Sequence, residues 1–367
     1  MKEEAKRRIE HCRRTQETTL QLTYSDLTDV SFLADLTQLT TLKLSYNAIK
    51  DITPLAGLTH LTSLYLGGND ISDLSPLVEL TELKTLSFFS NKVSNISPLS
   101  NLKHLETLDF GANEVSNLKP LKGLTQLTKL DASVNIISDL APLSGLNRLE
   151  SLNLAVNSIG EVKALAGLKK LIILELGENE IKDIAVLSHL IQLEELNISK
   201  NQVSDISALT PLKGLKELYL NNNQITDLEP LLLLFKKGIP LSMQYSHRGK
   251  MIILEGNPLP EALLEMVKEG NAALVDYYEK ADERALARLQ QFVAATEWIQ
   301  VERLDKAIKV LKPVFKEANN QEVFAQLVLL STELNAAKEQ FRIGALTDEE
   351  QASEFERIEG TLLTLMQ

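Results

Sequence analysis

The stretch from Leu61 to Leu80 reads LTSLYLGGNDISDLSPLVEL, and its pattern decides the fold. A short strand-like run is followed by one asparagine, Asn69, and then by a return segment that contains a proline. None of these short segments can bury its apolar side chains alone, so the pattern predicts a unit that packs against copies of itself. The apolar side chains at fixed places around the asparagine are Leu61, Leu64, Leu66, Ile71, Leu74, Leu77 and Leu80.

The same pattern returns every 22 residues, with asparagine in the equivalent position nine times and Ser25 one interval earlier. The nine are Asn47, Asn69, Asn91, Asn113, Asn135, Asn157, Asn179, Asn201 and Asn223. This period, with the pattern L-x-x-L-x-L-x-x-N, resembles the leucine-rich repeat family. The resemblance implies an α/β solenoid, a right-handed arc with a parallel β-sheet on its concave face.

The repeated asparagine has a structural interpretation. The turn after each strand leaves backbone N–H and C=O groups inside the solenoid, and buried backbone groups need partners. An amide side chain both donates and accepts hydrogen bonds, so stacked asparagines can form a ladder between neighbouring turns. We therefore interpret Asn69 and its equivalents as structural rather than catalytic or ligand-binding.

A second column of polar residues lies four positions after each asparagine. Stacked carboxylates are compatible with calcium, but each is followed by an apolar residue and often by proline, as in a capped turn. The glycine-rich nonapeptide of calcium-binding repeats is absent. The column therefore predicts turn caps and no metal site: Asp29, Asp51, Asp73, Asn95, Asn117, Asp139, Glu161, Asp183, Asp205 and Asp227.

Composition indicates a globular protein with an elongated core. Of 367 residues, 44% are apolar, and the net charge of -12 argues against a nucleic-acid-binding surface. Residues 1–19 carry charges throughout, so we expect no signal peptide, and no run approaches the ~18 apolar residues of a membrane span. The single cysteine, Cys12, fits a reducing compartment. We expect a cytoplasmic protein that needs no cofactor.

Residues 1–19 predict an N-terminal helical cap. Ala5, Ile9 and Cys12 recur at helical spacing, and a terminal repeat needs a cover with a polar outer face. The segment is also locally basic, which leaves a basic contact arm as the alternative interpretation. The basic residues are Lys2, Lys6, Arg7, Arg8, Arg13 and Arg14.

The repeat domain, residues 20–281, closes with an irregular unit. Asn223 and Asn257 are 34 positions apart instead of 22, which indicates a 12-residue insertion. A strand then returns at Ile252 and Leu254, and N-P-L before a helix resembles the closing unit of repeat arrays in bacterial Roco and related signalling proteins. The capping helix is predicted to carry Leu259, Leu263, Val267 and Leu274 on one side, with an interruption at Gly270.

Residues 282–367 predict a small C-terminal all-α helical bundle. Apolar residues recur at helical spacing over about 301–315 and 321–343. A third helix follows a T-x-x-E capping box formed by Thr347 and Glu350, with Gly344 at the end of the helix before it. Three short amphipathic helices of this kind pack as a compact bundle.

The run from Leu327, LVLLSTELNAAKEQFRIGALTDEEQASEFERIEGTLLTLM, looks like a bacterial effector-associated domain of the eleventh type. One departure is Glu356, where the family commonly has asparagine. The resemblance implies an adaptor module that pairs with a like domain on an effector, such as a protease, in bacterial conflict and immunity systems. The matching positions are Leu330, Ser331, Asn335, Lys338, Gly344, Glu350, Arg357, Ile358, Leu362 and Leu363.

The predicted bundle carries opposite charges on two helices. Lysines line the first helix and carboxylates crowd the third, which would suit a head-to-tail contact between like modules. Ordinary solvated helix faces, and for Arg357 a role in holding the bundle together, are the alternative interpretations. The candidate contact residues are Lys306, Lys309, Lys312, Asp348, Glu349 and Arg357.

Catalysis has little support in the sequence. The five histidines fall at unrelated repeat positions, and no nucleophile elbow, P-loop or HExxH motif occurs. Carboxylates such as Asp109 and Asp131 could be imagined as acid and base, but neighbouring strands of one open sheet offer no enclosed cleft. We expect a binding protein and no enzyme.

Exposed aromatic residues indicate a protein-binding surface. Strand alternation turns Tyr65 outward onto the concave sheet, and Tyr46 and Phe89 are expected to be its neighbours on consecutive repeats. Aromatics on a rigid surface are typical binding anchors. The later repeats carry more acidic residues on the same face. The candidate protein-binding residues are Tyr24, Tyr46, Tyr65, Phe89, Asp109 and Asp131.

These features predict a cytosolic adaptor in antiphage or conflict defence, whose repeats bind a protein ligand and whose helical domain recruits an effector. One alternative is a stand-alone regulator of an enzyme, resembling the phosphatase regulators with 22-residue repeats. The other is an adhesin resembling internalins, whose pattern N-x-I-x-D-I-x-P-L is close to this one. We expect contact with neither nucleic acid nor membrane. An adjacent gene that encodes a related helical domain fused to an effector would favour the adaptor.

Overall fold

A computed structural model of the chain describes residues 2–243 and 251–280, together with Ile308, Leu329, Leu330, Arg357, Ile358 and Thr361. The chain divides into two compact units, residues 1–274 and 275–367. The division precedes the domain boundary predicted after residue 281 by seven positions, and it falls inside a helix, Asn271–Glu279. The functional boundaries of the domains stay a prediction.

The first unit is built on one parallel sheet, in which the described residues contribute twelve strands in the order β1 to β10, then β12 and β11. Each repeat supplies three strand residues in register with the next, as in Leu42 opposite Leu64. This confirms the predicted solenoid. The strands are β1 Thr19–Gln21, β2 Thr41–Lys43, β3 Ser63–Tyr65, β4 Thr85–Ser87, β5 Thr107–Asp109, β6 Lys129–Asp131, β7 Ser151–Asn153, β8 Ile173–Glu175, β9 Glu195–Asn197, β10 Glu217–Tyr219, β11 Leu241–Ser242 and β12 Ile252–Ile253.

The core is a leucine column shared by all the repeats. The central residue of each strand, such as Leu64, points inward and is fully buried, while its neighbours Ser63 and Tyr65 face outward. Each return segment forms a short 3-10 turn that buries another leucine, such as Leu77. Each buried leucine side chain contributes about 1.5–3 kcal/mol of transfer free energy, and this gain exists only where the next repeat covers it.

The asparagine ladder is present as predicted. The Asn69 side-chain amide donates to the Leu66 carbonyl of its own repeat at 2.8 Å and to the Leu44 carbonyl of the preceding repeat at 3.1 Å. Its side-chain oxygen accepts the Ile49 N–H at 3.1 Å. Asn257 makes the same bonds in the closing unit. Each ladder asparagine thus joins two repeats by satisfying their buried backbone groups.

The acidic column caps the return turns. The Asp51 side chain accepts the Thr53 N–H at 2.8 Å, and hydrogen bonds from Thr53 hold the pKa of that carboxyl below its ordinary value. Asn95 makes the same contact with the Ser97 N–H at 2.9 Å, so an amide serves as well as a carboxylate. Glu161 differs, since its carboxylate pairs with Lys163 at 3.3 Å.

Helix α1, Glu3–Thr15, covers the first repeat with the predicted face, because Ala5, Ile9 and Cys12 are buried. Arg13 fixes the helix to the first repeat through a two-pronged contact with the Asp35 carboxylate at 2.9 and 3.0 Å. That guanidinium also holds the pKa of Asp35 below its ordinary value. The cap is therefore attached by apolar burial and by one planar ion pair.

The other end of the sheet is more elaborate than the sequence predicts. Strand β12 restores the repeat and pairs with β10, but the insertion itself supplies β11, which pairs with the outer edge of β12. Helices α2 Leu232–Lys236, α3 Glu261–Glu269 and α4 Asn271–Glu279 complete this end. Gly270, with φ +98, ends α3 at the predicted interruption. The Asn271 amide donates to the Ile239 carbonyl at 2.8 Å and so ties α4 to the insertion.

Most of the predicted C-terminal bundle lies outside the described residues. Ile308, Leu330 and Ile358, one from each predicted helix, are helical and buried. Arg357 is helical and exposed, and its carbonyl accepts the Thr361 hydroxyl at 2.9 Å. Lys306, Lys309, Lys312, Asp348 and Glu349 are among the residues that are not described.

Candidate functional site

Three of the candidate aromatic residues form one cluster on the early repeats. The rings of Tyr24 and Tyr46 stack in parallel at 4.5 Å, and Phe89 meets Tyr46 edge-on at 5.7 Å. Tyr24 is 59% exposed and Tyr46 43% exposed, so the stack presents an open aromatic face to solvent. Aromatic pairs of this geometry gain about 0.5–1.5 kcal/mol beyond area burial, which fixes the rings in place.

Two glycines make the cluster possible. Tyr46 and Phe89 belong to repeats that are not adjacent, and Gly67 and Gly68 of the repeat between them leave room for both rings. A Cβ on Gly67 would stand 2.2 Å from the Phe89 ring, and one on Gly68 would stand 2.7 Å from the Tyr46 ring. The Gly-Gly pair is the sequence signal for this contact, and the sequence analysis did not use it.

Tyr65 has a different neighbour from the one expected. The Lys43 ammonium lies 5.4 Å from the centre of the Tyr65 ring, within the range of a cation–π contact. Among the described residues, the Tyr46 ring contacts the rings of Tyr24 and Phe89. The cluster therefore contains Tyr24, where the sequence had predicted Tyr65. The reason is position, since Tyr65 ends strand β3 whereas Tyr24 and Tyr46 directly precede a ladder position.

Asp109 and Asp131 lie opposite each other on adjacent strands. Asp109 accepts the Ser87 hydroxyl at 2.9 Å and the Gly111 N–H at 3.1 Å. Asp131 accepts the Ser133 hydroxyl at 2.6 Å and an Asn153 amide N–H at 2.9 Å. Neutral donors therefore position both carboxylates, and neither forms an ion pair within the described ranges.

Several carboxyl groups on the concave face share an electrostatic property. Burial raises the pKa of Asp109, and the Asp131 charge adds to the shift. Burial also raises the pKa of Glu175 and of Glu195 on later repeats. A partly buried carboxylate without a counter-ion favours a cationic ligand, because the cation would stabilise its charged form.

Exposed apolar residues continue along one edge of the sheet. The residue just before each ladder asparagine adopts a left-handed backbone, and this column includes Val134 with φ 52 and Val156 with φ 58. Val134 is 47% exposed and Val156 39% exposed. Ile136, directly after the ladder asparagine of the same repeat, is 59% exposed. Sequence reasoning missed Ile136.

The basic residues of the N-terminal segment are largely engaged within the cap. Lys6 pairs with Glu3 at 2.6 Å and Arg8 with Glu4 at 3.1 Å along the helix. Arg8 also donates to the Gln21 carbonyl at 3.2 Å, at the free edge of β1. A groove of about 790 Å³ between α1 and β1 is lined by residues of both charges, including Arg7, His11 and Glu17. These contacts favour the cap over the basic arm.

In the part of the chain that the structure describes, no group of three His, Cys, Asp or Glu side chains could hold a metal ion. Across the same residues, no helix combines the length and the apolar character needed to cross a bilayer. Cys12 is buried and donates to the Glu17 carbonyl at 3.4 Å, and burial raises the pKa of its thiol. A raised thiol pKa is the opposite of what an activated nucleophile requires.

Sequence-family comparisons assign both parts of the chain. Segments 37–79, 59–101, 81–123 and 191–233 match the family described as Leucine Rich repeats (2 copies). Residues 284–367 match Effector-associated domain 11. The second match covers the predicted helical bundle. No curated protein was found to match the chain.

Solved structures resemble the repeat array. An internalin from Listeria monocytogenes, inlF, is 32% identical, with a TM-score of 0.58 over 70% of this chain and 78% of that one. The ectodomain of the Arabidopsis thaliana receptor kinase GASSHO1/SCHENGEN3, in complex with CASPARIAN STRIP INTEGRITY FACTOR 2, is 24% identical with a TM-score of 0.51, over 59% and 32%. The plant peptide hormone receptor RGFR1, in complex with RGF2, is 23% identical with a TM-score of 0.53, over 62% and 38%. The two plant receptors are similar in fold alone.

Proposed function

The chain belongs to the leucine-rich repeat family and carries effector-associated domain 11 at its C-terminal end, and from this premise we propose that it is a two-part adaptor. The repeat array is a protein-interaction scaffold. It binds a protein ligand on the concave face, and the C-terminal domain recruits an effector through a like domain. The protein itself performs no catalysis.

The observation that carries this proposal is the combination of the aromatic cluster with the C-terminal domain in one chain. Tyr24, Tyr46 and Phe89 form a rigid, exposed platform, and rigid aromatics contribute strongly to protein interfaces. Asp109 and Asp131 add negative charge beside it.

The C-terminal domain gives the adaptor its output. The family resemblance implies pairing with a like domain on an effector, such as a protease, in antiphage or conflict defence in the cytoplasm. We place the pairing surface on Lys306, Lys309 and Lys312 of one helix and on Asp348, Glu349 and Arg357 near the third. Opposite charges on two faces of one module would steer a head-to-tail contact.

Co-purification with the products of neighbouring genes tests the adaptor. A protein encoded nearby that carries a related helical domain should bind the full chain, and deletion of residues 282–367 should abolish this binding. Tyr46→Ala should leave that binding intact while weakening ligand binding by the array by ~1–4 kcal/mol. Undiminished effector binding after the deletion would contradict the proposal.

A second candidate function is favoured by the 32% identity to the Listeria internalin over most of the array. An adhesin would use the same concave face to bind a protein outside the cell. Cell fractionation separates the two functions, since the adaptor should remain in the cytoplasm. Recovery of the chain at the cell surface would favour the adhesin.

A further inference from the structure

Exposed apolar side chains concentrate along one edge of the solenoid, which we call the rim and define as the residues directly before and after each ladder position. Nine large hydrophobic side chains are exposed among the described residues, and five of them lie on the rim. They form two groups. The aromatic group is Tyr24 and Tyr46, and the aliphatic group is Val134, Ile136 and Val156.

Two members of the aliphatic group, Val134 and Val156, adopt a left-handed backbone that is unfavourable for valine. The left-handed region costs more for a β-branched residue than for glycine, serine or asparagine, because its side chain crowds the backbone. The same column holds Gly68, Ser90 and Asn222 in other repeats, so the fold accepts small or polar residues there. Val134 and Val156 are exposed and adopt φ angles of 52 and 58, so neither full burial nor a favourable backbone conformation explains a valine at these positions. Strain kept without a gain in stability points to a function.

The rim backbone has already formed its hydrogen bonds. The Val134 N–H donates to the Ala155 carbonyl at 2.8 Å, and the Val134 carbonyl accepts the Asn113 N–H at 3.2 Å. The Tyr46 N–H likewise donates to the Gly67 carbonyl at 2.8 Å. An extended segment could therefore not pair with the rim as an added strand. A segment that satisfies its own backbone, an α-helix, suits this surface.

The spacing of the two groups sets the length of that helix. Tyr46 follows β2 and Val134 follows β6, so four strand intervals separate them. Parallel strands lie about 4.8 Å apart, which gives a separation of ~19 Å. At 1.5 Å per residue, a helix covers this distance in about 13 residues, or between three and four turns.

Charge specifies the part of the helix near the aliphatic group. Asp131 lies on β6, in the same repeat as Val134, and Asp109 lies opposite it on β5, one repeat closer to the aromatic group. Their side chains extend toward the rim, because Asp109 accepts the Gly111 N–H and Asp131 accepts the Ser133 N–H at 2.9 Å, and both donors lie one residue before the rim. Neither has a cationic partner in the described part of the chain. A ligand with lysine or arginine at this level would provide one.

We propose that the ligand of the repeat array is an amphipathic helix of a partner protein, with apolar side chains between three and four turns apart and basic side chains near one of these apolar ends. The helix lies across the repeats along the rim. The apolar ends contact the aromatic and aliphatic groups, and the basic side chains next to the aliphatic group face Asp109 and Asp131. This inference rests on the proposed function, since it specifies the ligand of the same array.

A synthetic peptide tests the inference on the full chain. The probe is an amphipathic helix of about 22 residues, with leucines near both ends and, on the same face, arginines close to one of these leucine ends. It should bind, and Val134→Ser and Tyr46→Ser should each weaken its binding at least about tenfold. Ile191→Ser, at a residue 63% exposed outside the rim, should not change it. Val134→Ser should be as stable as the parent, because it removes an exposed side chain from a strained position.

Two control peptides identify what is recognised. A version with prolines in the middle should not bind, because it cannot form the helix. A version with glutamates in place of the arginines should bind at least about tenfold more weakly. Absence of binding by the first peptide, equal binding by the proline version, or indifference to the rim substitutions would overturn the inference. A natural protein ligand that needs Tyr46 but tolerates Val134→Ser would also overturn it, and would leave the adaptor standing.

Discussion

At the scale of single residues, each ladder asparagine joins two repeats through their buried backbone groups. The Asn135 side chain accepts the Val115 N–H at 2.9 Å and donates to the Phe110 carbonyl at 3.1 Å, 25 positions earlier. The core contains many leucines, whereas each of these buried backbone groups depends on a single asparagine side chain for its hydrogen bond. A ladder position is thus more sensitive to substitution than its small size suggests.

Asn135→Leu should lower the free energy of unfolding by about 1–3 kcal/mol, because a buried N–H and carbonyl groups lose their partner. Urea denaturation measures the change. Asn147→Leu, at an exposed asparagine in the return segment of the same repeat, should cost less than about 0.5 kcal/mol. Equal stability of Asn135→Leu and the parent would argue against an energetic role for the ladder.

Gly67→Ala should separate the Phe89 ring from Tyr46, because the new methyl group would occupy the space of that ring. The ring lies at the end of a side chain that can rotate away, so we expect a stability loss below about 1 kcal/mol. Nuclear Overhauser effects between the Tyr46 and Phe89 rings should disappear. Gly145→Ala is the matched control, since a Cβ at that site meets nothing within 4 Å. Persistence of the effects in Gly67→Ala would show that the glycine is not required.

At the scale of the repeat element, the return turns and the strands shift carboxyl pKa values in opposite directions. On the return turns, hydrogen bonds from Thr53 and Ser75 lower the pKa of Asp51 and Asp73. On the strands, burial raises the pKa of Asp109 and Glu175. The turn carboxylates therefore favour folding once ionised, whereas the strand carboxylates weaken it. This difference fits a strand surface that is completed by a ligand.

Asp109→Asn should stabilise the protein at pH 7 by about 1 kcal/mol, the scale of one buried polar interaction. The folded-state pKa of Asp109 lies above its ordinary value of 3.8, so the folded state binds the proton more tightly and stability falls as pH rises through that range. The gain should vanish at acidic pH, where the carboxyl is protonated in both states. Free energies of unfolding measured between about pH 3 and 8 test this dependence.

Asp139→Asn is the control, because it removes one charge from an exposed turn where an amide also serves as the cap. It should not reproduce the pH-dependent gain. Asparagine also fits the Asp109 site, because Asn153 and Asn197 occupy the equivalent position in later repeats. The side-chain oxygen of each accepts the backbone N–H two residues later, at 3.1 and 2.9 Å. A gain that is independent of pH would contradict the assignment to burial.

At the scale of the whole molecule, the chain combines a leucine-rich repeat array with an effector-associated domain. A rigid sheet presents its binding residues with little loss of conformational entropy, which suits a recognition surface. The C-terminal module has a separate family assignment, and its predicted charge pattern differs from that of the concave face. The proposed function needs both parts, because a ligand-binding array without an output would bind and do nothing further.

Pairing of the C-terminal module with an effector's like domain should weaken as salt rises from about 0.05 to 0.5 M, because exposed charges are screened over shorter distances. Lys309→Glu should weaken the pairing further at low salt. Lys169→Glu, an equal charge change on an exposed residue of the repeat array, should not. Titration calorimetry with the full chain measures each affinity. Binding that is insensitive to both salt and Lys309→Glu would remove the electrostatic basis of the contact.

The repeat period, the buried leucines, the asparagine ladder, the turn caps and the N-terminal helix were all predictable from the amino-acid sequence. These features depend on contacts within one repeat or with the next one, so a 22-residue period is sufficient to predict them. The outward direction of Tyr65 and Phe89 was also predictable from strand alternation. The family resemblance supplied the identity of the C-terminal domain, which no spacing argument gave.

The contacts between outward side chains, in contrast, depend on the three-dimensional arrangement of several repeats. Tyr46 and Phe89 are 43 positions apart and touch because the intervening repeat has no Cβ at Gly67 and Gly68. The insertion became an edge strand, β11, because the backbone groups on the free side of β12 could be satisfied there. Side-chain direction, burial and edge pairing depend on several repeats at once, and a one-dimensional pattern does not contain that information.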